Sequence, residues 1–173
     1  QASDIIFYDI EQKKVRNIFK TDSLLETFPC WSPDGNRIYY CVADLNTLRS
    51  DSGVITIADF LRKYDRLHYN IMSLPFDSSS CSFGEPVIEV DCSARGQSAS
   101  VPRISPDGRF LLFTQGNYGQ FHIWHKSADL YVKNLENDSI YPLDEANSKD
   151  ADSYHSWSSN GRWIVFSSRR DDG

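Results

Sequence analysis

The chain has 173 residues, of which 40% are hydrophobic and 13% aromatic, so it is too apolar to be a disordered segment. Its formal net charge of -6 argues against a nucleic-acid partner, because phosphate binding needs a concentrated basic face. The sequence contains no apolar run of about 18 residues and its first ten residues do not resemble a signal peptide, so we expect no membrane span and an export signal outside this chain.

The first predicted elements are two strands, residues 4–10 and 15–19, separated by a polar turn. Residues 29–40 then predict a β-hairpin, in which Asp34 and Gly35 supply the left-handed geometry of a tight turn and an aromatic-rich strand returns. Another pair of strands is predicted at 69–76 and 87–90. The chain up to residue 90 is therefore built from short strands.

The same hairpin recurs at residues 102–113 and 155–166. The third copy has Ser-Asn-Gly where the others have Pro-Asp-Gly, and Asn keeps the turn because it also tolerates left-handed geometry. A strand pair at 129–135 and 140–143 lies between these two hairpins. The repeating unit is thus four strands long, which predicts an all-β fold.

These residues resemble a known family. The hairpin Trp-Ser-Pro-Asp-Gly at 31–35, the returning strand Ile-Tyr-Tyr at 38–40 and the strand at 129–135 are similar to the TolB-like repeat, a WD40-like or PD40 repeat. The resemblance covers nearly the whole chain and implies a β-propeller of four-stranded antiparallel blades, with strand a innermost and strand d outermost. Residues 163–173 are also similar to multi-blade periplasmic proteins of Bacteroidetes-type bacteria, which implies such an origin.

With the blade order of this family, the chain reads c-d, a-b-c-d, a-b-c-d, a-b. The predicted parts are residues 1–19 (strands c and d of a first blade), 28–90 (second blade, with an insertion at 43–67), 101–143 (third blade) and 154–167 (strands a and b of a last blade). These twelve strands make about three blades, whereas propellers typically have about four to eight. We expect either a partial propeller within a longer protein or half of a six-bladed assembly, a homodimer in which a second copy completes the ring.

The predicted connections differ in length between the two faces of the propeller. Connections a to b and c to d are short turns, whereas connections b to c and d to a are long and define what we call the long-loop face. Its loops are residues 20–27, 43–67, 91–100, 115–128 and 144–153. Because rigid scaffolds carry binding residues on their longer loops, we expect a protein or peptide partner on this face.

Candidate binding residues on or near this face are Arg103, His122, Trp124, His125 and His155. Arg103 occupies an inner strand, where it would meet either an anionic ligand or a carboxylate of a neighbouring blade. The spacing of His122 and His125 does not predict zinc, because zinc needs three or four ligands and residues three apart in an extended segment point to opposite sides. We expect no metal and no cofactor.

Residues 57–64 predict a short helix with apolar residues at helical spacing, which would either dock on a partner or pack back onto the propeller. The segment 96–100 comes nearest to a nucleophile motif, but it lacks the final glycine and leads into a strand. No phosphate-binding loop or zinc-protease motif is present. We therefore expect no catalytic activity.

Three functions remain open. We place first a non-catalytic binding scaffold in the periplasm or at the cell surface. The second is the propeller domain of a prolyl oligopeptidase-like peptidase whose catalytic domain is absent from this chain. The third is a glycan-binding propeller, in which Tyr118, His122, Trp124 and His125 form a stacking platform.

Overall fold

The computed structural model of the chain describes residues 3–19, 21–49 and 55–171, which form mainly β-strands. The strands are β1 (Ile6–Asp9), β2 (Lys14–Asn17), β3 (Leu24–Trp31), β4 (Arg37–Asp44), β5 (Asn70–Asp77), β6 (Ser82–Phe83), β7 (Val87–Val90), β8 (Ser98–Ile104), β9 (Phe110–Gly116), β10 (Asp129–Asn134), β11 (Ile140–Pro142), β12 (Asp152–Trp157) and β13 (Ile164–Ser168). One α-helix, α1 (Ile57–Lys63), lies between β4 and β5.

The strands pair into four antiparallel sheets that follow one another along the chain. Two sheets are complete blades, β3-β4-β5 with β6 and β7 on its outer edge, and β8-β9-β10-β11. Two-stranded ribbons, β1-β2 and β12-β13, flank them. The predicted four-stranded antiparallel sheets are confirmed, with one difference: the outer strand of the second blade is split into β6 and β7.

Side-chain hydrogen bonds build the tight turn of each repeat. In the first copy the Asp34 carboxylate accepts from the Ser32 hydroxyl (2.6 Å) and from the Asn36 backbone N–H (3.1 Å), and Gly35 has φ of 71°. In the third copy the Asn160 side-chain oxygen accepts from the Ser158 hydroxyl at 2.7 Å. The prediction that Asn preserves this turn is therefore confirmed, because its amide oxygen replaces a carboxylate oxygen.

Each inner strand contains a bulge at the same repeat position. Phe28, Val101 and Tyr154 have φ of 52°, 52° and 57°, values that are uncommon for bulky residues. The pairing register shifts around each of them. Because the chain continues in extended form before the bulge, the inner strands begin at residues 24, 98 and 152 rather than at the predicted 28, 101 and 154.

A repeated backbone hydrogen bond joins successive sheets. The N–H of an inner-strand residue donates to a carbonyl that precedes strand c of the preceding sheet, which is β1, β5 or β10. The three bonds run from Glu26 to Ser3, from Ala99 to Tyr69 and from Asp152 to Ala128, each at 2.8 Å. The main apolar core lies between the two complete blades and includes Cys41, Ile71, Leu111 and Phe113, all fully buried.

The predicted helix is confirmed as α1, which begins at a capping box formed by Thr56 and Asp59. Its apolar residues face either the core or the solvent. Phe60 packs against the main core, whereas Ile57 and Leu61 are exposed. In the described part of the chain, no helix has the length and apolar character needed to cross a membrane.

Candidate binding surface on the long-loop face

The two long b-to-c connections of the complete blades, one between β4 and β5 and the other between β9 and β10, are hydrogen bonded to each other. The Tyr64 hydroxyl, just after α1, accepts a hydrogen bond from the Gln120 backbone N–H at 3.2 Å. The Gly119 N–H donates to the Leu67 carbonyl at 2.7 Å. Gly119 has φ of 68°, and a Cβ atom there would overlap the Tyr64 ring. The sequence predicted two separate loops, but the structure makes them one unit.

Aromatic rings fill the space between these connections. The Tyr118 and His125 rings are 4.6 Å apart, and the Tyr64 ring meets both of them edge-on. Phe60 of α1 lies beside Tyr64. These contacts hold the segment between β9 and β10 in place without any regular sheet pairing.

His122 anchors the same segment to the inner strand β8. Its Nδ1 atom shares a hydrogen bond with the Ser100 hydroxyl at 2.7 Å, and both side chains are buried. Burial lowers the pKa of His122 to about 4, so the ring is neutral at physiological pH. A Cβ atom on Gly116 would lie 2.9 Å from this ring. His122 is thus a structural residue rather than an exposed contact residue.

The expectation that His122 and His125 point to opposite sides is wrong. Residues His122–Trp124 form a 3₁₀ turn, in which residues three apart lie on the same side, and the two rings are 5.5 Å apart. Within residues 3–19, 21–49 and 55–171, no group of three or more His, Cys, Asp or Glu side chains is placed to hold a metal ion.

His155 and Arg103 lie away from the surface of this segment. His155 is 2% exposed, and its ring nitrogens lie 3.2 Å from the Leu112 carbonyl and 3.3 Å from the Thr114 hydroxyl. The half-buried Arg103 donates to the Pro102 carbonyl at 2.9 Å and forms no ion pair with a described carboxylate. The structure therefore does not bring these two residues to the candidate surface.

The bulges of the inner strands bring residues together that the sequence did not single out. Phe28, Val101 and Tyr154 belong to three successive sheets, yet all three line one cavity of about 90 Å³. Residues 120–123 of the connection between β9 and β10 close this cavity. The shared repeat position of the three bulge residues is the signal that would have found them.

Two exposed aromatic side chains line this cavity, and a third lies on the 3₁₀ turn that follows one of them in the chain. Phe121 and Tyr154 line the cavity and are 58% and 64% exposed, and Trp124 on the same 3₁₀ turn as His122 is 74% exposed. We call Phe121, Trp124 and Tyr154 the axial aromatic patch. Of the five predicted binding residues, Trp124 alone belongs to it.

Comparisons with known proteins identify the fold. No protein-family model and no curated protein matches the sequence. Among solved structures, TolB from Acinetobacter baumannii is similar with a TM-score of 0.60 and 19% identity, over 98% of this chain and 33% of that chain. The chain therefore spans about a third of that protein.

Two further similar structures have lower scores. Putative TolB from Agrobacterium tumefaciens has a TM-score of 0.41 and 17% identity, over 94% of this chain and 60% of that chain. The β-propeller domain of the trilobed protease from Pyrococcus furiosus has a TM-score of 0.43 and 15% identity, over 84% and 34%. A Bacteroidetes origin stays a prediction. With the blade pattern and the match to Acinetobacter TolB, the chain has the fold of a TolB-like β-propeller, as its repeats predicted.

Proposed function

We propose that the chain is a non-catalytic TolB-like β-propeller scaffold that binds a protein or peptide through the axial aromatic patch. The observation that carries this proposal is the exposure of Phe121 and Tyr154 on a cavity at the inner strands, with the exposed Trp124 on the 3₁₀ turn that follows Phe121. Exposed Trp and Tyr side chains are enriched among residues that dominate binding energy, because they offer large apolar area with a polar end.

The rigidity of the patch supports the same proposal. Phe121 follows directly on Gly119 and Gln120, whose backbones are hydrogen bonded to the β4–β5 connection, and Trp124 ends the 3₁₀ turn that comes next. Tyr154 is part of the bulged strand β12. Because contacts already hold the backbone of these segments, a partner does not bear the entropic cost of ordering it.

We further propose that the protein acts in the periplasm or at the cell surface, as its repeats resemble those of periplasmic proteins. The net charge of -6 supports a protein or peptide rather than a nucleic acid as the partner. The proposal includes self-association, in which a second copy completes the ring of blades.

A glycan platform made of Tyr118, His122, Trp124 and His125 has less support. His122 is 1% exposed, and the rings of Tyr118 and His125 contact each other at an interplanar angle of 51°. Trp124 is the single freely exposed ring of these four, and one ring offers a sugar a small stacking surface.

The test is selection of binders from a library of random linear peptides against the immobilised chain. The affinity of selected peptides is then measured for the wild-type chain, Trp124→Ala and Phe121→Ala. We expect each variant to weaken binding by about 30-fold, since truncation of a dominant contact costs at least about 2 kcal/mol.

Tyr141→Ala is the matched control, because Tyr141 is an aromatic residue on the outermost strand of the third blade and is 41% exposed. Its affinity for the selected peptides should equal that of the wild-type chain. Peptides that bind Trp124→Ala and Phe121→Ala as tightly as wild type would contradict the proposal.

A further inference from the structure

A surface groove lies between the two complete blades, on the face formed by the tight turns. Its volume is about 560 Å³, within the range of about 300–1,000 Å³ that is typical of ligand sites. Residues of the turns at 32–36 and 106–108 line its two sides. Both turns belong to blades whose strands are all described, so the walls of the groove are complete. We call it the junction groove.

The repeat changes from apolar to polar residues at the junction groove. Arg37 and Tyr39 line the groove. The residues at the same two positions of the next repeat are Phe110 and Leu112, and the third copy has tryptophan and valine there. Packing between sheets is thus achieved with apolar residues at these positions. Natural sequences depart from such a local pattern mainly at functional sites, which singles out Arg37 and Tyr39.

The Arg37 guanidinium has donors that the protein does not use. Arg37 is half-buried, and its Nη1 atom donates to the Ser73 hydroxyl at 2.7 Å. The same hydroxyl donates to the Glu89 carboxylate, so the contact of the guanidinium is itself held in place. The guanidinium forms no ion pair with a described carboxylate. Because a guanidinium carries several N–H donors in a planar fork, most of them are available to a ligand.

The Tyr39 hydroxyl is a second unused donor. Tyr39 is 6% exposed and its ring packs in the main core, yet its hydroxyl forms no hydrogen bond with another described residue. Burial, and after it the Glu89 carboxylate, raises the pKa of Tyr39 to about 12, so the hydroxyl keeps its proton. The charges of Arg37 and Asp34 also act on this pKa, because both lie near the hydroxyl. A ligand in the groove would supply the acceptor that this hydroxyl lacks.

The acceptors of the junction groove, by contrast, are already occupied. The Asp34 carboxylate accepts from the Ser32 hydroxyl and from the backbone and side-chain N–H groups of Asn36. Asp107 accepts from its own turn in the same way, and its charge is paired with Arg109 at 2.9 Å. The unused hydrogen-bonding capacity of the groove is therefore mainly on the donor side, which favours an anionic ligand.

We infer that the junction groove binds a carboxylate group, with the Arg37 guanidinium and the Tyr39 hydroxyl as its donors. A carboxylate matches the planar fork of a guanidinium and can accept two parallel hydrogen bonds from it. The charge of Asp34, which no described cation pairs, repels a second negative charge, so a phosphate fits less well. The carboxylate belongs either to a small organic acid or to a peptide. This site lies opposite the long-loop face and goes beyond the function proposed for the axial aromatic patch.

The test is nuclear magnetic resonance titration of the chain with acetate, which carries the carboxylate alone. We expect the backbone amide signals of Asn36, Arg37 and Gly108 to shift, with a dissociation constant in the millimolar range. Acetamide is the matched neutral probe and should bind at least about 10-fold more weakly, and phosphate should also bind more weakly than acetate.

A second titration identifies the source of the carboxylate. Its probes are acetyl-tetra-alanine with a free C-terminus and the same peptide with a C-terminal amide. Binding of the free acid about 10-fold tighter than acetate, with no binding of the amide, would identify a peptide carboxylate. Equal affinities of the free acid and acetate would identify a small organic acid.

Substitutions of the two donors test their roles. Tyr39→Phe removes the hydroxyl and keeps the ring, so the acetate dissociation constant should rise by about 10-fold. Arg37→Gln should abolish binding, whereas Arg37→Lys, which keeps the charge but not the fork, should weaken it less. Arg162→Gln is the matched control and should change nothing, because Arg162 is an exposed arginine on the tight turn of the third hairpin. Thermal unfolding checks that each variant is folded.

Three results would overturn the assignment of a carboxylate site. The first is the absence of any shift with acetate and with the free-acid peptide. The second is binding of acetamide or phosphate at least as tight as that of acetate. The third is an unchanged acetate affinity in folded Tyr39→Phe and Arg37→Gln. None of these results bears on the axial aromatic patch, because peptides that depend on Trp124 test that surface separately.

Discussion

At the scale of single residues, the interior holds two neutral imidazole rings. His122 and His155 are buried, and burial lowers the pKa of each to about 4. The ordinary pKa of a histidine in an unfolded chain is about 6.5. Below that pH the unfolded chain takes up protons that the folded chain does not, so stability is fully present above pH 6.5 and is lost as the pH falls toward 4.

We therefore predict that the free energy of unfolding decreases between pH 6.5 and pH 4, by on the order of 3 kcal/mol for each ring. Chemical denaturation across this range measures it. His155→Gln keeps a donor and an acceptor but cannot take up the proton, so its stability should depend less steeply on pH. Burial raises the pKa of Glu26 and Asp129, which favours the folded state as the pH falls and so opposes the effect of the histidines. This contribution is the same in the wild-type chain and in His155→Gln. Equal slopes for the two proteins would contradict the prediction.

Substitution of Gly119 tests how far its close contact with Tyr64 stabilises the segment that contains Phe121 and Trp124. Gly119→Ala should destabilise the chain by about 1–3 kcal/mol, because the new Cβ overlaps the Tyr64 ring and the backbone has positive φ. Gly35→Ala is the matched control: φ is 71° there, but nothing lies within 4 Å of a new Cβ. Thermal unfolding should show a larger loss for Gly119→Ala. A loss no larger than that of the control would mean that the overlap with Tyr64 is unimportant.

At the scale of the elements, a buried ion pair joins the two complete blades. Lys133 of β10 donates to the Glu89 carboxylate of β7 at 2.9 Å, and their side chains are 6% and 13% exposed. Lys133 also meets Asp138 at 2.8 Å, but that side chain is 83% exposed. The Glu89 carboxylate also accepts a hydrogen bond from the Ser73 hydroxyl at 2.6 Å. The pair thus joins the third strand of one blade, β10, to the outer strand of the preceding blade, β7, by charge, whereas the inner strands are held by apolar packing.

Removing the lysine should be costly because it leaves Glu89 buried without its counter-charge. We predict that Lys133→Ala lowers the free energy of unfolding by about 3 kcal/mol. Asp138→Ala should cost less than about 1 kcal/mol, because Asp138 is solvated. Urea denaturation of the two variants measures the difference, and similar losses would show that burial of the pair is not what matters.

At the scale of the whole molecule, stability should be graded from the centre outward. Strands β4, β5 and β9 are paired on both sides, and β4, β8 and β9 contain the most buried residues, whereas β1, β2 and β13 are short, largely exposed and paired on one side. In repeat architectures each unit is stabilised mainly by the units it contacts. The terminal ribbons therefore have fewer contacts to hold them.

Native-state hydrogen exchange should follow this gradient, with the slowest amides in β4 and β9 and the fastest in β2. Uniform protection of all four sheets in dilute solution would contradict the graded picture.

The sequence by itself determined the sheets, their turns and their order, because each is encoded locally. Asp34-Gly35 and its two repeats fix a tight turn through side-chain hydrogen bonds that span a few residues, and the repeated strands follow from them. The sequence also singled out Trp124 as an aromatic residue in a long loop, and its binding role stays a prediction. Local chemistry was sufficient for these features.

The tertiary structure alone decided the rest of the candidate surface. His155 and His122 looked like surface residues, but packing between sheets buries both of them. Tyr154 joins Phe121 beside one cavity because a bulge redirects the inner strand and a separate connection folds over it. Contacts between segments far apart in the chain set burial, and no local pattern records which distant residue will lie against which.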